Sequence, residues 1–154
     1  MSGAGGRLPK AVLDTSVLIR GILSSRGPSG QVLDAFFEGA FDLVLSLSIV
    51  GEVENVLRRR HIRSRPSFSA EETQELVVAL IGGAEMASGT HQFDVVSTDP
   101  KDNHIVSTAL EAGADYIVTE DERDLLSLKV VKVRSFPAIQ VVDAEMFLRK
   151  LLIR

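Results

Sequence analysis

The feature that most constrains the fold is the alternation of short apolar runs with longer amphipathic segments. The apolar runs are too short for helices of their own, and they occupy residues 10–14, 41–45, 115–119 and 139–142. Each run is predicted to be a buried strand, because the segments between them carry apolar residues at helical spacing. Strands that alternate with helices form parallel sheets covered on both faces. The sequence therefore predicts an α/β fold with a mainly parallel central sheet.

Capping and stop signals predict where the helices begin and end. The predicted helices run from about Ser16 onward and over 29–38, 48–60, 69–81, 99–113 and the stretch after 143, with a short helical turn at 124–128. The predicted N-caps are Ser48, Ser69, Asp99 and Asp143, and the predicted stops are Gly39, Gly82 with Gly83, and Gly113. The stretch 84–98 has the weakest pattern and is compatible with an edge strand.

Length and composition limit the organisation of the chain. Its 154 residues suit one domain, expected over 9–154, after a small, glycine-rich tail at 1–8 that is expected to be flexible. No apolar run approaches the roughly 20 residues of a membrane span, and the first residues lack a signal-peptide core. We therefore expect a soluble, cytoplasmic protein without a membrane partner. The absence of cysteine excludes disulfides and thiolate metal sites.

Charge is unevenly distributed along the chain. A net charge of −4 argues against a generally basic nucleic-acid binder, and the absence of Trp argues against a base-stacking platform. Within 58–65, however, five arginines are concentrated, namely Arg58, Arg59, Arg60, Arg63 and Arg65. One interpretation is a helix end, where cations suit the dipole, followed by a solvated loop. The other is a surface that contacts RNA or an acidic protein partner.

Four carboxylates fall where an open parallel sheet binds its ligands, beyond the carboxyl ends of the strands. Asp14 ends the first predicted strand, Asp121 follows the third, and Glu52 and Asp102 lie near the beginnings of two helices. Each residue alone has a plainer role in a turn, at a helix dipole or in solvent. Together they would repel one another unless a cation compensated them, and Mg²⁺ or Mn²⁺ prefers such oxygen ligands. The set of four thus favours a metal site that activates water for attack on a phosphodiester.

Four blocks in order, at 12–19, 51–53, 99–103 and 116–121, resemble the motifs of the PIN-domain family. The ending at 139–148 is similar to the family's last strand and helix, so that the likeness covers roughly 9–152. It is closest to single-domain bacterial and archaeal members described as toxins of toxin–antitoxin pairs. The resemblance implies a three-layer α/β/α fold around a mainly parallel sheet.

The same resemblance implies a Mg²⁺- or Mn²⁺-dependent endoribonuclease. It assigns catalysis and metal binding to Asp14, Glu52, Asp102 and Asp121, with hydroxyl support from Thr15, Ser16 and Thr119. It further implies an RNA substrate, a homodimer and an antitoxin protein as partner. The arginines at 58–65 are the candidates for RNA binding.

Two positions depart from the family pattern. Ser16 stands where the family often has Asn, and Glu120 replaces Gly in a Thr-Gly-Asp block. Asp124 is therefore an alternative to Asp121 as the fourth acidic ligand. These departures support a competing interpretation, in which the chain is a weakly active or inactive PIN-fold module that binds RNA or a protein. An aspartyl-phosphate phosphatase is disfavoured, because no second Asp stands two residues after Asp14. The histidines His61, His91 and His104 share no metal-ligand spacing.

Overall fold

The computed structural model describes residues 6–89, 100–123 and 125–153, except for the side chains of 100–102. Its strands are β1 (Lys10–Leu13), β2 (Asp42–Leu45), β3 (Glu85–Met86), β4 (Tyr116–Val118), β5 (Val130–Val131) and β6 (Ile139–Val142). Its helices are α1 (Thr15–Leu23), α2 (Pro28–Phe37), α3 (Leu47–Leu57), α4 (Arg60–Arg63), α5 (Ala70–Gly83), α6 (Pro100–Ala112), α7 (Leu125–Leu128) and α8 (Ala144–Leu152). None of the described helices is long and apolar enough to cross a bilayer.

The strands form one sheet in the order β3-β2-β1-β4-β6-β5. All neighbours pair in parallel except β5, which runs antiparallel to β6. The central strand β1 aligns Val12 with Val44 of β2 and with Ile117 of β4. The carboxyl ends of these three strands therefore share one edge of the sheet, which we call the carboxyl edge. The predicted α/β class with a mainly parallel sheet is confirmed.

Continuous burial explains why the strands read as unbroken apolar runs. Residues 11–13 of β1 are fully buried, as expected for a parallel strand covered on both faces. Phe147 of α8 meets Phe41 edge-on with ring centroids 4.9 Å apart, and it contacts Tyr116 of β4 at 5.3 Å. Each such buried side chain contributes about 1.5–3 kcal/mol to folding, so this aromatic contact fixes α8 against the sheet.

Helix α3 begins earlier and ends earlier than the sequence predicted. Its N-cap is Ser46, whose Oγ accepts the N–H of Ile49 at 3.2 Å, so the prediction of Ser48 as cap is wrong. The reason is that β2 ends at Leu45, which makes Ser46 the first residue free to leave the extended conformation. The predicted continuation through Arg60 is also wrong, because Arg59 is extended (φ −64°, ψ 141°) and separates α3 from α4.

Other boundaries agree with the sequence more closely. Ser69 and Asp143 cap α5 and α8, each accepting a backbone N–H with its side chain. Gly113 follows α6 with φ +67°, a conformation that favours glycine. Gly82 and Gly83 do not stop α5, which includes both. β3 is the expected edge strand, β5 was not predicted, and the predicted cap Asp99 lies outside the described residues.

The predicted domain boundary after residue 8 stays a prediction. Within the expected tail, Arg7 already contacts the folded part of the chain. Its guanidinium donates to both carboxylate oxygens of Asp115, at 2.7 and 3.1 Å.

Candidate active site

Asp14 lies at the centre of the carboxyl edge, between β1 and α1. It is the N-cap of α1, and its Oδ1 accepts the N–H of Thr15 at 2.7 Å. Its Oδ2 accepts the hydroxyl of Thr119 at 2.8 Å and, more distantly, that of Ser16 at 3.4 Å. The Thr119 bond links the ends of β1 and β4 across the sheet edge. All three hydroxyl or amide donors point at the carboxylate, so its orientation is fixed.

The electrostatic setting of Asp14 disfavours its negative charge. Burial raises the pKa of Asp14 above its ordinary value, and the nearby Glu52 carboxylate raises it further. The hydrogen bonds from Thr119, Thr15 and Ser16 oppose this rise of the pKa but do not cancel it. A partly buried carboxylate with a second carboxylate beside it is a place where a cation would relieve repulsion.

Glu52 reaches the same edge from the second turn of α3. Its Oε2 accepts the hydroxyl of Thr15 at 2.9 Å, and its Oε1 lies 2.8 Å from His104 Nε2 on α6. Because a carboxylate only accepts, Nε2 carries the proton and donates it. Glu54, two residues further on, points elsewhere and pairs with Arg58 at 3.6 Å. Of the two glutamates, Glu52 is therefore the one that reaches the carboxyl edge.

A series of short hydrogen bonds therefore joins the carboxyl ends of β1 and β4 to helices α1 and α3. Thr15 bridges the two carboxylates, because its N–H is bound to Asp14 and its hydroxyl to Glu52. Thr119, which is fully buried, donates to Asp14 and accepts the N–H of Asp121 at 3.0 Å. Through Thr119, the backbone N–H of Asp121 is thus linked to the Asp14 carboxylate.

The side chain of Glu120 contacts helices α1 and α8 instead of Asp14. Its Oε2 accepts the N–H of Ala144 at the beginning of α8, at 3.1 Å. Its Oε1 lies 3.4 Å from the guanidinium of Arg20 on α1. Its own N–H donates to the Ser16 hydroxyl at 3.3 Å. Both unusual positions, 16 and 120, therefore contact each other, and Glu120 has a structural role that a glycine could not fill.

A family model described as PIN domain matches residues 10–123. The chain belongs to the PIN-domain family. PIN domains are generally nucleases that typically use divalent metal ions, so the fold is of the nuclease type. The matched range contains Asp14, Glu52, Asp102 and Asp121 and four of the six strands, β1 to β4. No curated protein is similar enough to count as a match.

The complete acidic set of this PIN domain is not assembled by the described side chains. Asp102 is the third residue of α6, but its side chain lies outside the described part, and so does Asp124. Among the side chains that are described, no three acidic or histidine groups lie close enough to hold one metal ion. The assignment of Asp14, Glu52, Asp102 and Asp121 as metal ligands thus stays a prediction.

The chemistry of the described donors nevertheless fits a hard divalent cation. Asp14 and Glu52 offer carboxylate oxygens, the ligand type that Mg²⁺ and Mn²⁺ prefer. Burial and the neighbouring Glu52 carboxylate raise the pKa of Asp14, and a cation bound there would favour the charged form of this carboxyl group. No cysteine competes for a softer metal.

The arginines at 58–65 are exposed along the end of α3, helix α4 and the segment after it. Arg58 pairs with Glu54, and the guanidinium of Arg63 lies 5.6 Å from the centre of the Phe68 ring. The interpretation of this segment as a helix end followed by a solvated loop is wrong for residues 60–63, because they form α4, which the buried Ile62 anchors in the core. The anchored helix presents its arginines on a fixed surface.

Sequence reasoning missed two functional candidates. His104 shares no metal-ligand spacing with the other histidines, yet it contacts Glu52, and its Nδ1 is buried without a hydrogen-bond partner in the described structure. Its position two residues after Asp102, on the same helix, was the available signal. Arg20 gave no signal at all, because a single arginine on an amphipathic helix is indistinguishable from a solvated one.

Proposed function

We propose that this PIN domain is a Mg²⁺- or Mn²⁺-dependent endoribonuclease that hydrolyses RNA phosphodiester bonds. The observation that carries the proposal is the Asp14–Thr15–Glu52 bridge. It brings two carboxylates to the carboxyl edge of a parallel sheet, where α/β proteins bind ligands, in a chain whose family is generally nucleolytic.

In this proposal the chain prepares a fixed, negatively charged site. A bound divalent cation would activate water and polarise the phosphate. Asp14 and Glu52 would hold that cation, with Asp102 and Asp121 as the further ligands and Asp124 as the alternative to Asp121. Thr119 and Thr15 keep the two carboxylates oriented through bonds of 2.8 and 2.9 Å, and Ser16 adds a longer contact. His104 donates to Glu52 and restricts its rotation.

Cleavage of RNA tests the proposal. Structured RNA is incubated with the protein and Mn²⁺, and Asp14→Asn and Glu52→Gln are compared with the wild type. Both variants are expected to lose cleavage by at least about a hundredfold, since each removes a metal-binding charge. Glu145→Gln, which changes an exposed carboxylate on α8, is the control and is expected to retain activity. Cleavage that survives in folded Asp14→Asn would contradict the assignment of Asp14.

A second candidate is a PIN-fold module that binds RNA or a protein but cleaves nothing. The observation in its favour is that both Glu52 oxygens are already engaged, one by Thr15 and one by His104. Binding of RNA by the wild type without any metal-dependent cleavage would establish this alternative.

The biological setting is also a proposal. By resemblance, the ribonuclease would be the toxin of a toxin–antitoxin pair, a homodimer inhibited by an antitoxin protein. Growth arrest on expression of the wild type, relieved by Asp14→Asn, is the expected result. Equal growth of cells expressing either protein would contradict the toxin role.

A further inference from the structure

A cleft of about 410 Å³ opens beside the candidate active site. Its walls are the end of α1, the beginning of α2 and the segment after α4. The charged side chains that line it are Arg20, Arg65 and Glu120. The side chains that line the cleft therefore carry a net positive charge, although the net charge of the whole chain is −4.

The two arginines are available to a ligand. Arg65 is exposed and makes no ion pair with any carboxylate in the described structure. Arg20 is 66% exposed, and its pair with Glu120 is long, at 3.4 Å. An exposed ion pair of this kind contributes about 0–1 kcal/mol, so an incoming phosphate could take over the Arg20 guanidinium.

The cleft is directly connected to the carboxylates. Ser16 and Arg20 lie four residues apart on α1 and so share one face of the helix, with a rise of about 6 Å between them. Glu120 follows Thr119, the hydroxyl donor to Asp14, and its N–H donates to Ser16. An RNA strand that lies across Asp14 would therefore reach the cleft about one turn further along α1.

A neighbouring cavity of about 350 Å³ is less suitable for an anion. It also borders Arg65, but Asp34 and Glu72 line it as well. The side chains that line this cavity carry a net negative charge, so they would repel a polyanion. Of the two openings next to Arg65, the one that leads to Asp14 is the one that favours phosphate.

We propose that the Arg20–Arg65 cleft binds backbone phosphates of the RNA substrate on one side of the scissile bond. This inference rests on the proposed function, because it places the RNA relative to the cleaving carboxylates. The arginines take non-bridging phosphate oxygens by charge-assisted hydrogen bonds, and the beginning of α2 adds partial positive charge. Glu120 competes with the RNA for Arg20 in the free protein.

Binding measured without metal tests the cleft separately from catalysis. A short, fluorescently labelled single-stranded RNA of mixed sequence is titrated in EDTA over a series of salt concentrations. Arg20→Ala and Arg65→Ala are each expected to weaken binding roughly tenfold. Each should also reduce the slope of log affinity against log salt by about 0.7. Arg20→Lys keeps the charge and is expected to keep the slope while losing part of the affinity.

The chain offers a matched control in the Arg149–Glu145 pair of α8. Arg149 is 64% exposed and pairs with a glutamate, as Arg20 does, but it does not line the cleft. Arg149→Ala is expected to change RNA affinity less than twofold by its general charge effect. Glu120→Gln removes the competing charge and should tighten binding, whereas Glu145→Gln should not. The glutamine can still accept the Ala144 N–H, so the fold is preserved.

The outcomes separate this inference from the proposed function. Unchanged affinity in Arg20→Ala and Arg65→Ala, or a loss no greater than in Arg149→Ala, overturns the cleft even if the protein cleaves RNA. The expected losses support the cleft even if no cleavage is found. Arginine-dependent binding of polyglutamate instead of RNA would assign the cleft to an acidic protein and would also overturn the inference.

Discussion

Replacing Thr119 with Val tests the hydrogen bond that joins the two central strands at the site. Valine has nearly the shape of threonine, so it leaves no cavity at this fully buried position. It removes the 2.8 Å bond to the Asp14 carboxylate and the acceptor of the Asp121 N–H. A bond to a charged group contributes about 1.5–3 kcal/mol. At about 2–4 °C per kcal/mol, the melting temperature should fall by about 3–12 °C.

The assay is thermal unfolding of the metal-free protein, with Thr108→Val as the matched control. Thr108 is also buried, but its hydroxyl bonds only to the His104 carbonyl within α6, at 2.7 Å. Such a local bond adds little to helix stability, so the control should change by less than about 0.5 kcal/mol. Equal losses of stability in the two variants would refute the reasoning, since they would show that the Thr119 bond to Asp14 stabilises the fold no more than a local bond within a helix does.

The Thr119 effect should also depend on pH. Burial raises the pKa of Asp14, and the Thr119 hydroxyl opposes the rise. Because the pKa in the folded state lies above the unfolded value, the folded protein loses stability as pH rises through the interval between the two. Without Thr119 the folded pKa rises further, so this loss grows. The difference between wild type and Thr119→Val should therefore be larger at neutral pH than in acid.

Three further predictions follow from the same contacts. In metal-free buffer, urea unfolding should show that the stability of Asp14→Asn relative to the wild type increases from acid to neutral pH, because only the wild type carries a carboxyl group whose pKa is raised on folding; a difference that is independent of pH would contradict this. Ser46→Ala should cost about 1 kcal/mol and Ser48→Ala much less, and the reverse order would contradict Ser46 as the cap of α3. Combined Arg59→Ala and Arg60→Ala should lower the salt slope of RNA binding by about 1.4, and an unchanged slope would remove these arginines from RNA binding.

The sequence predicted the fold because parallel strands leave a strong pattern. Strands buried on both faces are mostly apolar, and β1, β2, β4 and β6 were found for this reason, although Asp42 of β2 and Gln140 of β6 are exposed. β5 was missed because two residues at an edge, one of them half-exposed, carry no periodicity. The cap of α3 was misplaced because Ser46 and Ser48 are equivalent by residue type. Only the end of β2 distinguishes them, and single-sequence patterns locate strand ends poorly.

The site was predictable where local rules place residues and unpredictable where packing does. Asp14 and Glu52 follow strands that end at one edge, so their proximity could be expected from topology. The contact of Glu52 with His104 depends on how α3 and α6 pack, which no local pattern encodes. Glu120 looked like a departure from the PIN pattern, but its bonds to Ala144 and Arg20 are tertiary and became visible only in the structure.

The most direct test of the central claim is the melting temperature with and without Mn²⁺. A cation that binds only the folded protein stabilises it by about 2.7 kcal/mol at a hundredfold excess over its dissociation constant, or about 5–11 °C here. The wild type should show this rise, Asp14→Asn and Glu52→Gln should not, and Glu54→Gln, on the same helix but facing Arg58, should behave as the wild type. If millimolar Mn²⁺ leaves the wild type unchanged, or stabilises Asp14→Asn as strongly, these carboxylates do not form the metal site.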